Sequence, residues 1–216
     1  MPEKLHKAMD ELKVELEDMG HHARDMLLDG VEALKNRDRE LAEDVLSRKD
    51  RLYNFDNHIE EKTLKILTLH QPVAKDLRFL GGLLKMITYF TRIGRYGYDI
   101  AKVAIEIGDI NHVKKLIDIP NMARMVSSMI DDDLEALRTG NIDLLKDFSE
   151  RDDTIDEERY SIFRECLTYM MEDPRTITRC THYVMVARYL ERCGDHACKI
   201  AEKINYIETG EFVEIS

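Results

Sequence analysis

The sequence predicts an all-α protein built as two tandem three-helix bundles. Two observations predict it. Helix formers dominate and breakers are rare, with 10 Gly, 4 Pro and no Trp in 216 residues. Motifs of the first half also return roughly a hundred residues later in the same order, which is the signature of an internal repeat.

Six helices follow, over about 3–35, 39–70, 72–107, 119–138, 141–172 and 174–208. Asn36-Arg37-Asp38 and Thr139-Gly140-Asn141 are short breaks with turn and cap chemistry. Pro72 and Pro174 suit a first helical turn and bar continuation of the helix before them, so a turn is expected at Gln71-Pro72. Gly108-Asp109 ends the third helix and Pro120 opens the fourth. The repeats are expected at 1–110 and 118–210. Glu32-Ala33-Leu34 matches Glu135-Ala136-Leu137. Ser47-Arg48-Lys49-Asp50 matches Ser149-Glu150-Arg151-Asp152, and Arg92-x-Gly94 matches Arg192-x-Gly194. Gly81-Gly82, inside an apolar helix, is read as a close-packing site rather than a phosphate loop.

Composition excludes several function classes. A net charge of −11 and the lack of a Lys/Arg cluster argue against nucleic-acid binding. The longest apolar stretch, Phe79 to Phe90, is broken by Lys85 and is too short to span a bilayer. The N-terminus has no apolar signal core, so a cytoplasmic location is expected. Cys166, Cys180, Cys193 and Cys198 form no Cys-x-x-Cys pair and read as small buried residues. Met122, Met125, Met129, Met170 and Met171 read as core fillers. Ser127, Ser128 and Ser149 lack a nucleophile elbow, so no enzyme activity is expected.

The chemistry concentrates in the last two helices. In a hairpin turning at Glu172-Asp173-Pro174, residues equidistant from the turn lie at one height. Asp152 then faces Asp195, and Asp156 faces Glu191. Asp152 falls on the stripe of Leu145, Phe148, Ile155, Ile162 and Cys166, and Glu191 on that of Val184, Ala187, Gly194, Cys198 and Ala201. Core-facing carboxylates raise one another's pKa values and call for a cation. All-oxygen ligation suits Mg²⁺, Ca²⁺, Mn²⁺ or iron. The competing reading is that Arg151, Arg159, Arg188 and Arg192 neutralise these acids. His196 reads as a neighbour of the site rather than a ligand. The same construction in the first half gathers Asp50, Asn54, Thr91 and Arg95. There an Asp50–Arg95 ion pair is expected in place of a metal.

These residues resemble the PhoU family of phosphate-transport regulators. Leu190-Glu191-Arg192-Cys193-Gly194-Asp195-His196-Ala197 is similar to the family's acidic signature. Gln71-Pro72-Val73-Ala74-Lys75-Asp76-Leu77-Arg78 and Asp152-Asp153-Thr154-Ile155-Asp156 match two further family strings. The resemblance spans nearly the whole chain. It implies two three-helix repeats in a cytoplasmic, often dimeric, non-enzymatic protein. It also implies restraint of a phosphate ABC transporter through its ATPase, coupling to a membrane sensor histidine kinase, and attachment to the membrane only through such partners. It further implies that Asp152, Asp156, Glu191 and Asp195 ligate divalent or trivalent metal ions such as iron. Thr91, Arg95 and Asn54 depart from the family's acids, so no metal is expected at the first-repeat site. Two alternatives compete with this reading. One is a metal-free helical adaptor. The other is a ferritin-like iron protein, for which the sole Glu-x-x-His spacing is Glu3-x-x-His6.

Overall fold

The computed structural model describes residues 2–70 and 72–215, with side chains from Lys4 onward. Its α-helices are α1 (Pro2–Asn36), α2 (Arg39–Ser47), α3 (Lys49–His70), α4 (Lys75–Ile107), α5 (Asp118–Thr139), α6 (Phe148–Glu172) and α7 (Ile177–Thr209). The all-α, two-repeat expectation holds: α1, α2/α3 and α4 form one bundle, and α5, α6 and α7 the other.

The helix boundaries differ in four places: the expected helix 174–208 opens as a 3₁₀ turn at Pro174–Thr176 before α7, and the other three have local reasons of their own. The expected helix 39–70 breaks at Arg48, which separates α2 from α3. The expected helix 141–172 starts as a 3₁₀ turn at Ile142–Leu145, and α6 begins only after Asp147, whose ψ of 8° interrupts the helix. The expected helix 72–107 begins at Lys75 because Ala74 has φ 47°, outside the helical region. Gln71, half of the expected turn, lies outside the described residues. The caps follow the sequence. Asp38 accepts from the Leu41 N–H at 3.0 Å, and Asn141 accepts from the Asp143 N–H at 3.2 Å. Gly140 closes α5 at φ 74°, a left-handed conformation that suits glycine.

The two repeats pack antiparallel, helix to equivalent helix. Between α1 and α5, Lys13 Nζ donates to the Arg138 carbonyl at 3.1 Å, and Arg24 pairs with Asp131. Between α4 and α7, Lys75 pairs with Glu208 at 2.7 Å and Tyr96 stacks on Tyr189 at 5.4 Å. This order places α3–α4 beside α7–α6 as two neighbouring helix pairs. Each pair carries one candidate site. Gly82 is buried against Ile207, as the close-packing reading expects, whereas Gly81 is exposed and touches nothing.

A pair of arginine clasps fixes the internal register. In the first repeat Arg48 pairs with Asp29 at 2.6 Å and also with Asp44. In the second, Arg151 pairs with Asp132 at 2.6 Å and with Asp147 at 3.6 Å. The two clasps have equivalent members, and they align Arg48 with Arg151 rather than with Glu150. The match of Ser47–Asp50 to Ser149–Asp152 is therefore one residue out of step. Each clasp joins the break before a long helix to the first helix of its bundle. Arg151→Ala removes charge-assisted hydrogen bonds from a side chain that is 21% exposed. Its expected cost is about 1–2 kcal/mol, read as a lower urea midpoint at unchanged slope. An unchanged midpoint would contradict the clasp's structural role.

The core bears out the cysteine reading, since all four cysteines are buried and free. Met122 and Met129 are fully buried and Met125 and Met170 half-buried. Met171 corrects the expectation: it is 84% exposed. It falls off the buried α6 stripe of Ile155, Ile162 and Cys166. No helix among the described residues is long and apolar enough to cross a membrane.

Candidate functional site

The α6–α7 hairpin brings Asp152, Asp156, Glu191 and Asp195 into one electrostatic cluster. Asp152 is half-buried, and burial is the main cause that pushes its pKa up to about 6. Asp195, Asp156, Glu191 and Asp153 add to the shift by like-charge repulsion. Glycine at 194 makes the approach possible: a Cβ there would lie 3.0 Å from Asp152 Oδ1. Glu191 is 6% exposed, and its pKa is raised by burial and then by Asp195, with Arg188 and Arg192 opposing. Asp156 stands on the exposed side of α6.

Arginines neutralise two of the four acids, Glu191 and Asp195, and leave Asp152 and Asp156 without a cationic partner among the described residues. Arg188 pairs with Glu191 Oε1, and Arg159 Nε lies 3.9 Å from the same oxygen. Arg192 donates to Asp195 Oδ2 at 2.5 Å and approaches Glu191 Oε2 at 3.6 Å. Glu191 Oε2 is nonetheless buried without a hydrogen bond. Of the four arginines named from sequence, Arg151 serves the clasp instead. Among the described residues, no group of three or more His, Cys, Asp or Glu is disposed to hold a metal ion. The donor set fits a hard cation in chemistry, and Glu191 Oε2 is an unused oxygen, but Glu191 and Asp195 are turned onto arginine.

His196 is stacked against Tyr89 at 5.7 Å and Tyr96 at 6.1 Å, on the α4 side of α7. Burial, reinforced by Arg92, pushes its pKa down to about 4, so it is neutral at pH 7. In the ferritin-like alternative, His6 faces Asp76 at 3.9 Å and the Glu3 side chain lies outside the described residues.

The first-repeat set is not assembled as expected. Asp50, Asn54 and Arg95 are each exposed, and no ion pair joins Asp50 to Arg95 among the described residues. The cause is the register. Arg48 aligns with Arg151, so Lys49 and Tyr53 occupy the places of Asp152 and Asp156. Lys49 Nζ lies 5.8 Å from the Tyr53 ring centre and 5.3 Å from that of Tyr98. Thr91 and Arg95 do occupy the places of Glu191 and Asp195. The missed residues were findable, because Asp29, Asp44 and Arg48 recur at one constant spacing as Asp132, Asp147 and Arg151.

Both repeats have known relatives. The PhoU domain family model matches residues 16–104 and 119–204. The chain belongs to the PhoU family. A phosphate-specific transport system accessory protein PhoU homolog of Caulobacter vibrioides is 38% identical over 93% of this chain and 87% of the relative. The homolog of Clostridium acetobutylicum is 34% identical over 96% of this chain and 95% of the relative. The crystal structure of PhoU from Pseudomonas aeruginosa superposes with a TM-score of 0.91 at 31% identity, covering 95% of this chain and 99% of that one. The tandem PhoU repeats and the six long helical segments are therefore properties of the family.

Proposed function

We propose that this chain is a non-enzymatic accessory protein of a phosphate transport system. In this reading it restrains a phosphate ABC transporter from the cytoplasm and passes its state to a sensor histidine kinase. The observation that carries the reading is the family match across both repeats, with relatives named for phosphate-specific transport. The partner surface is the ATP-hydrolysing subunit of the transporter, and the chain acts as a homodimer. Affinity-tagged protein should retain that subunit from a membrane extract made without crosslinker. Its absence from the eluate, with the subunit present in the input, would count against the partner assignment.

The second repeat is proposed as a cation centre held by Asp152, Asp156, Glu191 and Asp195. The orphaned Glu191 Oε2 and the repulsion focused on Asp152 support this. A bound Mn²⁺, Mg²⁺ or iron ion would offset two or three of the four negative charges and tie α6 to α7. Arg188 and Arg192 would have to release the acids they hold. That requirement is the observation favouring a second reading, a metal-free helical adaptor whose arginines are the permanent counterions. The two separate by metal content after purification without chelator. The cation reading predicts bound metal in the wild type and only background in Glu191→Ala and Asp195→Ala. Equal content in all three sinks the assigned ligands.

A further inference from the structure

The two repeat-related sites carry opposite charge. Lys49 stands for Asp152, Tyr53 for Asp156, Thr91 for Glu191 and Arg95 for Asp195. The brace inverts too. Arg159 approaches Glu191 at 3.9 Å in the second repeat, and at its place in the first stands Asp56, which faces Thr91.

Three observations show that the first-repeat cations have no carboxylate partners among the described residues and that the Thr91 hydroxyl is not well bonded. Lys49 pairs with no carboxylate among the described residues and lies over the Tyr53 and Tyr98 rings. Arg92 and Arg95 are exposed and engage in no ion pair or hydrogen bond there, although the chain has 43 acids for 32 Lys and Arg. Thr91 is 9% exposed, and its Oγ1, shut off from solvent, makes no hydrogen bond of good geometry. An acid-rich chain gains nothing in solubility from leaving these three cations unpaired. Guanidinium forks and a lysine point charge suit a tetrahedral oxyanion, and the buried Thr91 hydroxyl, which now faces Asp56, can turn to supply an inner donor.

We infer that the first repeat binds a tetrahedral oxyanion, either inorganic phosphate or the phosphoryl group of a phosphorylated molecule. Lys49 and Arg95 are its principal contacts, Arg92 stands at the rim and Thr91 Oγ1 lies beneath. Two acids are near the site. Asp50 is exposed and adjacent to Lys49 in the chain. Asp56 is half-buried, with its pKa raised by burial and by Glu60 against the pull of Thr91, so its charge is the weaker opponent. The site is independent of the accessory-protein reading. Failure to bind an anion in vitro leaves the transport role standing, and loss of the transport role leaves the anion site standing.

The test is calorimetric titration of the full chain at fixed ionic strength with inorganic phosphate, phenyl phosphate and sulfate. Saturable binding of one phosphate probe is expected. Lys49→Glu and Arg95→Glu should each weaken it at least about tenfold, the loss of one charge-assisted contact. Thr91→Val should weaken it less. Lys146→Glu, the same charge change at an exposed residue elsewhere, should leave it within about twofold. Equal binding of both phosphates assigns free phosphate, and preference for phenyl phosphate assigns a phosphoryl group. The inference is overturned by linear, unsaturable heats, or by unchanged affinity in the charge-reversed variants. If either reversed variant loses its helical circular dichroism, Lys49→Gln and Arg95→Gln decide the matter by the same criterion.

Discussion

Asp133→Asn will stabilise the protein at neutral pH, by a margin that grows with pH. Asp133 lies in α5 at 0% exposure, and neither carboxyl oxygen has a hydrogen bond. Burial pushes its pKa well above the ordinary range, Asp132 adds to the shift and Arg151 opposes it. Below that raised pKa the folded state holds Asp133 as the neutral acid, while the unfolded chain ionises it near pH 4. Folding must retain a proton that the unfolded state releases. Stability falls by about 1.4 kcal/mol per pH unit from the ordinary carboxylate pKa up to the raised one, then levels. An amide of the same shape has no proton to lose. Melting curves from pH 4 to 8 should show the variant equal to wild type near pH 4 and higher above it. About 2–4 °C is expected for each kcal/mol in a chain of this size. A constant offset across pH, or a variant that melts lower at pH 7, would contradict this description of the core.

Gly97→Ala should have the opposite effect and a comparable size. At the crossing of α1 and α4, a Cβ on Gly97 would meet Met26 C and O at 2.5 Å and Leu27 N at 2.6 Å. A Cβ on Gly30 would likewise meet the Gly97 carbonyl oxygen at 2.6 Å. Every one of these atoms is backbone, so no side chain can turn away. The helices must separate, and the expected loss is about 2–3 kcal/mol. Gly81→Ala is the matched comparison. It sits exposed in the same helix with nothing within 4 Å, and should gain about 0.5–1 kcal/mol from helix propensity. Urea denaturation of the two variants reads both signs. A Gly97→Ala midpoint within error of wild type would show that α1 and α4 are not locked backbone to backbone.

The helical fold was legible in the sequence because its signals are local. Scarce breakers, Pro174 before a turn and Asp38 as a cap each act within a few residues. The duplication made the second-repeat acids legible as well, since Gly194 and the spacing of Glu191 and Asp195 survive intact. The first-repeat site was misread by one residue because Ser47 and Asp50 happen to resemble Ser149 and Asp152. The true register is written in Arg48 and Arg151, whose partners Asp29 and Asp132 sit on another helix. One step of register exchanges Asp50 for Lys49 and Asn54 for Tyr53, so the expected ion pair gives way to a lysine lying over tyrosine rings. Asp133 was illegible for a related reason. It lies among the apolar residues of a helix whose flanking Asp131 and Asp132 pair with arginines, so only packing shows which of the three acids is buried.

The proposed restraint of phosphate uptake is tested most directly by measuring radiolabelled phosphate uptake in phosphate-replete cells lacking this protein. Uptake should rise above wild type, and the intact chain, supplied in trans, should return it to the wild-type rate. Uptake indistinguishable between deletion and wild type, in cells whose phosphate transporter is present, would contradict the account.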